Sequence, residues 1–198
     1  AVQRVGQATE VMNVKEIALH ILDIAQNSIS AKASLVELTL SETPESITFT
    51  IVDNGKGMSP ELLAQVSDPF TTTRTTRKMG LGIPLLRMAV EQTGGSLTID
   101  STEGVGTTVT ALFRPTHIDC PPVGDIAGTI TLLLQGAPQL ELHYTHTIDN
   151  NCFQLTTEEL RAQLGPEISL AEPEVILWIR DYLQEQEMLL RENKGMKA

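Results

Sequence analysis

Cysteine is scarce in this 198-residue chain, with Cys120 and Cys152 the only two. That is too few for a disulfide scaffold at this length, so both read as free thiols. Aromatic residues make up only 4% of the chain, yet hydrophobic residues reach 41%, which excludes a disordered chain. No apolar run approaches the roughly 18 residues that a membrane-crossing helix needs. The first residues also lack the charged start and apolar core of a signal peptide, so the expected location is cytoplasmic. Positive charge is in short supply: 14 Lys and Arg face 25 Asp and Glu, a net charge of −11. Duplex nucleic acids and anionic membranes are bound through Lys and Arg, so neither is an expected partner.

The acidity is unevenly placed. Residues 1–114 carry 9 basic and 12 acidic side chains, whereas 115–198 carry 5 and 13. Between Pro69 and Val90 there is no acidic residue, but Arg74, Arg77, Lys78 and Arg87 are there, a window suited to face an anion. Cys120-Pro121-Pro122 reads as a break. The expected layout is an extension at 1–12, a domain at 13–114 and an acidic α+β region at 122–198.

Apolar residues Ile17, Ala18, Ile21, Leu22, Ala25 and Ile29 recur at three- and four-residue steps and predict a helix over Val14–Ile29. Alternating patterns predict antiparallel strands at Leu35–Leu40 and Ile47–Val52. Ser59 then caps a short helix opened by Pro60. The threonine- and base-rich segment 67–82 reads as a mobile loop, and Ile83–Gln92 as a helix closed by Gly94-Gly95. Strands are expected at Ser96–Ser101 and Thr107–Phe113. Beyond the break come a helix at 125–135, a two-strand pattern at 139–155, and helices at 157–164 and 173–192.

Three short constellations carry chemistry. Asp23 and Asn27, four apart, share one helix face, where a carboxylate can orient a water and an amide oxygen can hold a hydrated Mg²⁺; a solvated face would look the same. Asp53-Asn54-Gly55-Lys56-Gly57-Met58 follows an apolar strand, so Asp53 could accept from an exocyclic amine while the glycines permit close approach. Asn54-Gly55 alone would equally suit a hairpin turn, although the helix pattern that follows opposes one. Gly80-Leu81-Gly82 opens a helix, where free N–H groups attract phosphate; a lone G-x-G is more often a flexible turn.

Taken in order, L-D-I-A-Q-N-S-I-S-A, D-N-G-K-G-M, D-P-F-T-T-T-R-T-T-R-K-M-G-L-G-I-P-L and G-V-G-T-T-V-T resemble the GHKL, or histidine-kinase-like, ATPase superfamily across residues 14–113. The resemblance implies a Bergerat fold: a two-layer α/β sandwich with a mixed sheet and helices on one face. It implies Mg²⁺ on Asn27 and an adenine N6 contact on Asp53. Gly55, Gly57 and Met58 would shape the base pocket, with Thr107 supporting Asp53 through water. Thr72, Arg74, Lys78, Gly80, Leu81 and Gly82 would surround the phosphates beneath a lid at 68–79. Asp23 falls where mismatch-repair ATPases and anti-sigma kinases carry a glutamate general base, and departs from that pattern in having the shorter side chain.

The opening helix resembles the mismatch-repair type, while the lid and the G-L-G-I-P-L helix resemble histidine kinases. A stand-alone ATPase-domain protein is expected, without a phosphoacceptor His domain, and His20 reads as structural. His117, Cys120, His143, His146 and Cys152 invite a metal reading, but His143 and His146 lie three apart in a strand pattern and so face opposite ways; core or surface positions suit them better. The expected function is a Mg²⁺-ATP-binding protein that acts as a protein kinase or ATPase on a separate partner or phosphoacceptor. The alternative is a nucleotide-gated binding module with negligible turnover. Apolar residues over more than one face of the last helix suggest docking or a homodimer, with packing on the ATP domain an equal alternative, and a chain ending near Arg114 is expected to keep ATP binding.

Overall fold

The computed structural model describes residues 15–67, 81–165 and 167–194. In chain order the elements are α1 (Ile17–Ser30), β1 (Leu35–Glu42), β2 (Ile47–Asp53), α2 (Pro60–Ser67), α3 (Gly82–Gln92), β3 (Ser96–Thr102) and β4 (Gly106–Phe113). There follow α4 (Ile126–Gly136), β5 (Glu141–Ile148), β6 (Asn151–Thr156), α5 (Thr157–Leu164) and α6 (Pro173–Lys194). Each element expected from local pattern is present within a few residues of its expected ends.

The strands form one mixed sheet in the order β3-β4-β2-β1-β5-β6. All neighbours are antiparallel except β1 and β5, which run parallel with Leu38 opposite Tyr144. Side chains alternate across a strand, and here one face is covered and the other is open. Val36, Leu38 and Leu40 of β1, Phe49 and Ile51 of β2, and Leu142, Tyr144 and Ile148 of β5 are buried beneath the helices. On the open face a row of threonines crosses five strands, from Thr98 through Thr110, Thr50 and Thr39 to Thr145.

The helical layer has α1 between α3 and α4, with α6 against α4 and the β5–β6 end of the sheet. Ile17, Ile21, Ile24 and Ala25 of α1 are buried, as are Ile130, Leu133 and Leu134 of α4 and Ile179 and Leu183 of α6. At roughly 1.5–3 kcal/mol for each large side chain removed from water, this shared core supplies the main drive to fold.

Residues 122–198 therefore do not build a sheet of their own. Their two strands extend the sheet through β1, and their helices α4 and α6 lengthen the same helical layer. The Pro-rich break passes over the start of α1, where Pro122 and Val123 carbonyls accept from the Ile17 and Ala18 amides at 3.0 and 2.8 Å. Those first-turn amides have no intrahelical acceptor, and Glu16 makes no side-chain cap, so the connection itself caps the helix. Thr129 of α4 adds a hydroxyl bond to the Ala18 carbonyl at 3.2 Å.

Candidate nucleotide site

Helix α1 lies across the candidate site and supplies residues to both of its ends. Its Ser28 is buried and points at the end of β2, where its hydroxyl donates to Asp53 Oδ2 at 2.6 Å. The other carboxylate oxygen accepts from the Gly55 amide at 2.8 Å. Asp53 is 9% exposed, and these donors hold it in one orientation. A carboxylate offers about four lone-pair positions, so it keeps capacity to accept from an amine in the pocket.

The turn after Asp53 is shaped by close backbone contacts. A Cβ on Gly55 would meet Ala31 Cβ, the Ala31 carbonyl and Asp53 Oδ1, each at 3.0 Å. Gly57 has φ +64°, and a Cβ there would lie 2.0 Å from the Thr102 carbonyl. Asn54 is no hairpin residue: its side-chain oxygen accepts from the Ser34 and Leu35 amides at 2.9 Å, tying this loop to the start of β1. The Met58 amide donates to Ser101 Oγ at 2.9 Å. Ser101 in turn donates to the Gly106 carbonyl and lies 2.9 Å from Thr107 Oγ1. Thr107 is the direct cross-strand partner of Asp53 between β2 and β4.

Asp23 and Asn27 are half-buried on one face of α1, one turn apart. Among the described residues no hydrogen bond claims the side-chain amide of Asn27, which leaves its Oδ1 available to a hydrated cation. An amide oxygen with several retained waters is a donor set suited to Mg²⁺ when phosphates complete the shell. Asp23 pairs with Lys15, which precedes the helix. It also touches the mouth of α3, since a Cβ on Gly82 would lie 3.2 Å from Asp23 Cβ. Among the described residues no side chain caps α3, whose first turn begins beside exposed Leu81.

His20, a little under one turn before Asp23, is buried, and its Nδ1 has no hydrogen-bond partner among the described residues. Burial and the charge of Lys15 lower its pKa from 6.5 to about 4, against an opposing pull from Asp23. It is a neutral imidazole at pH 7. Thr72, Arg74, Arg77, Lys78 and Gly80, expected around the phosphates, lie outside the described residues. Ser28, Ser101, Gly106 and Lys15 were not singled out as site residues from sequence. Ser28 had one available signal, because it sits inside the L-D-I-A-Q-N-S string.

The five residues that invited a metal reading are scattered. His143 is partly exposed on the open face near Glu37 and Glu141, while His146 is fully buried beneath the helices. Cys120 and Cys152 are free thiols, half-buried and exposed respectively.

A mixed six-stranded sheet with helices over one face is the α/β sandwich of histidine-kinase-like ATPase domains. The chain belongs to that family: the model for histidine kinase-, DNA gyrase B-, and HSP90-like ATPases matches residues 12–117. Among curated relatives, the heme sensor protein HssS of Staphylococcus saprophyticus is 35% identical over 108 residues, covering 52% of this chain and 24% of that protein. The sensor histidine kinase ZraS of Escherichia coli is 32% identical over 100 residues, covering 50% and 21%. The sensor kinase CckA of Brucella abortus is 25% identical over 170 residues, covering 73% and 18%. The chain thus spans about a quarter or less of the length of these relatives. The catalytic domain of histidine kinase ThkA aligns at 20% identity over 48% of this chain and 65% of that one, with a TM-score of 0.38.

Proposed function

We propose that this ATPase-family chain binds Mg²⁺-ATP between α1, the Asp53 loop and the mouth of α3, and passes the γ-phosphoryl group to a separate protein or to water. The observation that supports it most is the buried Asp53 carboxylate, oriented by Ser28 and Gly55 at the end of β2. Asp53 would accept from adenine N6, and the tight Gly55–Gly57 turn would leave room for the base. Asn27 would hold Mg²⁺, which neutralises phosphate charge when bound. Asp23 would orient or deprotonate the attacking group, and the α3 amides would take up phosphate negative charge. Phosphoryl transfer of this kind depends on positioning and charge neutralisation more than on covalent chemistry.

The Lys15–Asp23 pair favours a second reading, a nucleotide-gated binding module with negligible turnover. The ammonium engages the carboxylate oxygen that a general base would need to take the proton of an attacking group. Calorimetry with ATP, ADP and Mg²⁺ tests binding; phosphate release with and without candidate partner proteins separates the two readings. Absence of any nucleotide binding would overturn both. For location, no helix among the described residues is long and apolar enough to cross a membrane; a cytoplasmic place is proposed on the kinase domains of the relatives.

A further inference from the structure

We infer that Lys15, which precedes α1, is a γ-phosphate-binding residue that makes the site selective for nucleoside triphosphate over diphosphate. This rests on the proposed ATP-binding function and deepens it. Lys15 Nζ is paired with Asp23 Oδ2, and the two side chains are 30% and 35% exposed. The same Oδ2 lies 3.7 Å from where a Cβ on Gly82 would stand, so the ammonium is held beside the mouth of α3. Three features thus meet at one point: a carboxylate, a cation and a helix start whose amides no side chain caps among the described residues.

A carboxylate at an anion-binding helix mouth is electrostatically awkward, because it repels the phosphate that the amides attract. Lys15 removes that conflict. Without nucleotide it neutralises Asp23; with a triphosphate bound it stands between two anions and bridges them. The neighbouring imidazole cannot take this part, since His20 is buried and neutral. Placement of Lys15 is itself built in, because the Pro122 and Val123 carbonyls anchor the amides of Ile17 and Ala18 just after it. A β-phosphate end lacks the group that reaches this position, so loss of the cation falls selectively on ATP.

The test is calorimetry of ATP and ADP, each with Mg²⁺, on the full chain and its Lys15→Met and Lys15→Arg variants. A part-exposed ion pair adds little to stability, so both variants should keep the wild-type melting midpoint within a few degrees. Lys15→Met should weaken ATP by about tenfold, the scale of one charge-assisted hydrogen bond, while ADP changes by less than about twofold. Lys15→Arg should restore most of the ATP affinity. Equal losses for ATP and ADP, no loss for either, or failure of arginine to rescue would overturn the assignment. If the wild type binds neither nucleotide, the ATP-binding reading itself falls; if it binds ATP and Lys15→Met keeps the same ATP-to-ADP ratio, only the role of Lys15 falls.

Discussion

His146 Nε2 lies 2.9 Å from Glu42 Oε1 across the parallel β1–β5 pair, and its Nδ1 lies 2.7 Å from Glu187 Oε1 of α6. One fully buried imidazole thus joins two strands and the last helix. Tyr144 donates to the same Glu187 oxygen at 2.8 Å, and Arg191 donates to both Glu42 oxygens at 2.8 and 3.2 Å. Burial opposes charge on His146, but hydrogen bonds with Glu187 and Glu42 and their negative charges outweigh it and raise its pKa above 6.5. Burial also penalises the Glu42 carboxylate, yet His146 and Arg191 outweigh that and lower its pKa from 4.5 to about 2.

The cluster makes stability pH-dependent. A histidine raised on folding stabilises fully below its unfolded pKa, and that contribution is lost as pH rises through the folded value. Glu42, lowered on folding, stabilises above its unfolded pKa and loses this as pH falls towards about 2. The joint contribution is greatest between the unfolded values of 4.5 and 6.5 and declines on the alkaline side. Urea midpoints across that range and up to pH 9 should fall for the wild type above 6.5, and His146→Gln should be less stable and flatter there. Parallel profiles would remove His146 as the cause.

Asp53→Asn should weaken ATP by roughly 10–100-fold, because an amide cannot satisfy Ser28, Gly55 and an exocyclic amine together. Ser28→Ala should cost less, a few-fold in affinity, since it frees the carboxylate to move without removing the acceptor. Calorimetry ranking Ser28→Ala as the more damaging change would contradict the adenine contact.

Gly57→Ala is expected to destabilise the turn and nucleotide binding together. Its positive φ costs a β-carbon residue about 1–2 kcal/mol, and the clash with the Thr102 carbonyl adds to that. Thermal melts and ATP titrations of one sample check both. A variant as stable as wild type would show that this backbone can relax.

On α1, Asn27→Ala should reduce Mg²⁺-dependent ATP affinity, and Asp23→Asn should keep binding and lose turnover if Asp23 is the base. Unchanged phosphate release in Asp23→Asn would favour the binding-module reading.

A chain ending at Arg114 is now expected not to fold, contrary to what its motif content suggests. Removing β5 strips β1 of its parallel partner, and removing α4 takes from α1 a packed neighbour and the Thr129 bond to the Ala18 carbonyl. Leu133, Leu134, Leu142, Tyr144 and Ile148 leave the shared core with these elements, and at roughly 1.5–3 kcal/mol for each large side chain their packing is comparable to the whole of a typical stability of about 5–15 kcal/mol. A sigmoidal melt by circular dichroism from the shortened chain would show residues 122–198 to be dispensable for folding.

The sequence by itself determined the local elements and the nucleotide motifs, because helix and strand periods, caps and glycine spacing are written in neighbouring residues. The face shared by Asp23 and Asn27 and the place of Asp53 at a strand end were readable for that reason. Tertiary structure alone decided where the C-terminal strands go: the charge shift near 115–122 looks like a division, yet β5 pairs with β1 because their buried faces continue one another. It also decided that Ser28 holds Asp53, 25 residues away, and that His146 reaches Glu42 across 104. No local pattern encodes such contacts. They arise when strands distant in sequence enter one sheet and the helices above bring their polar groups into a space where each must find a partner.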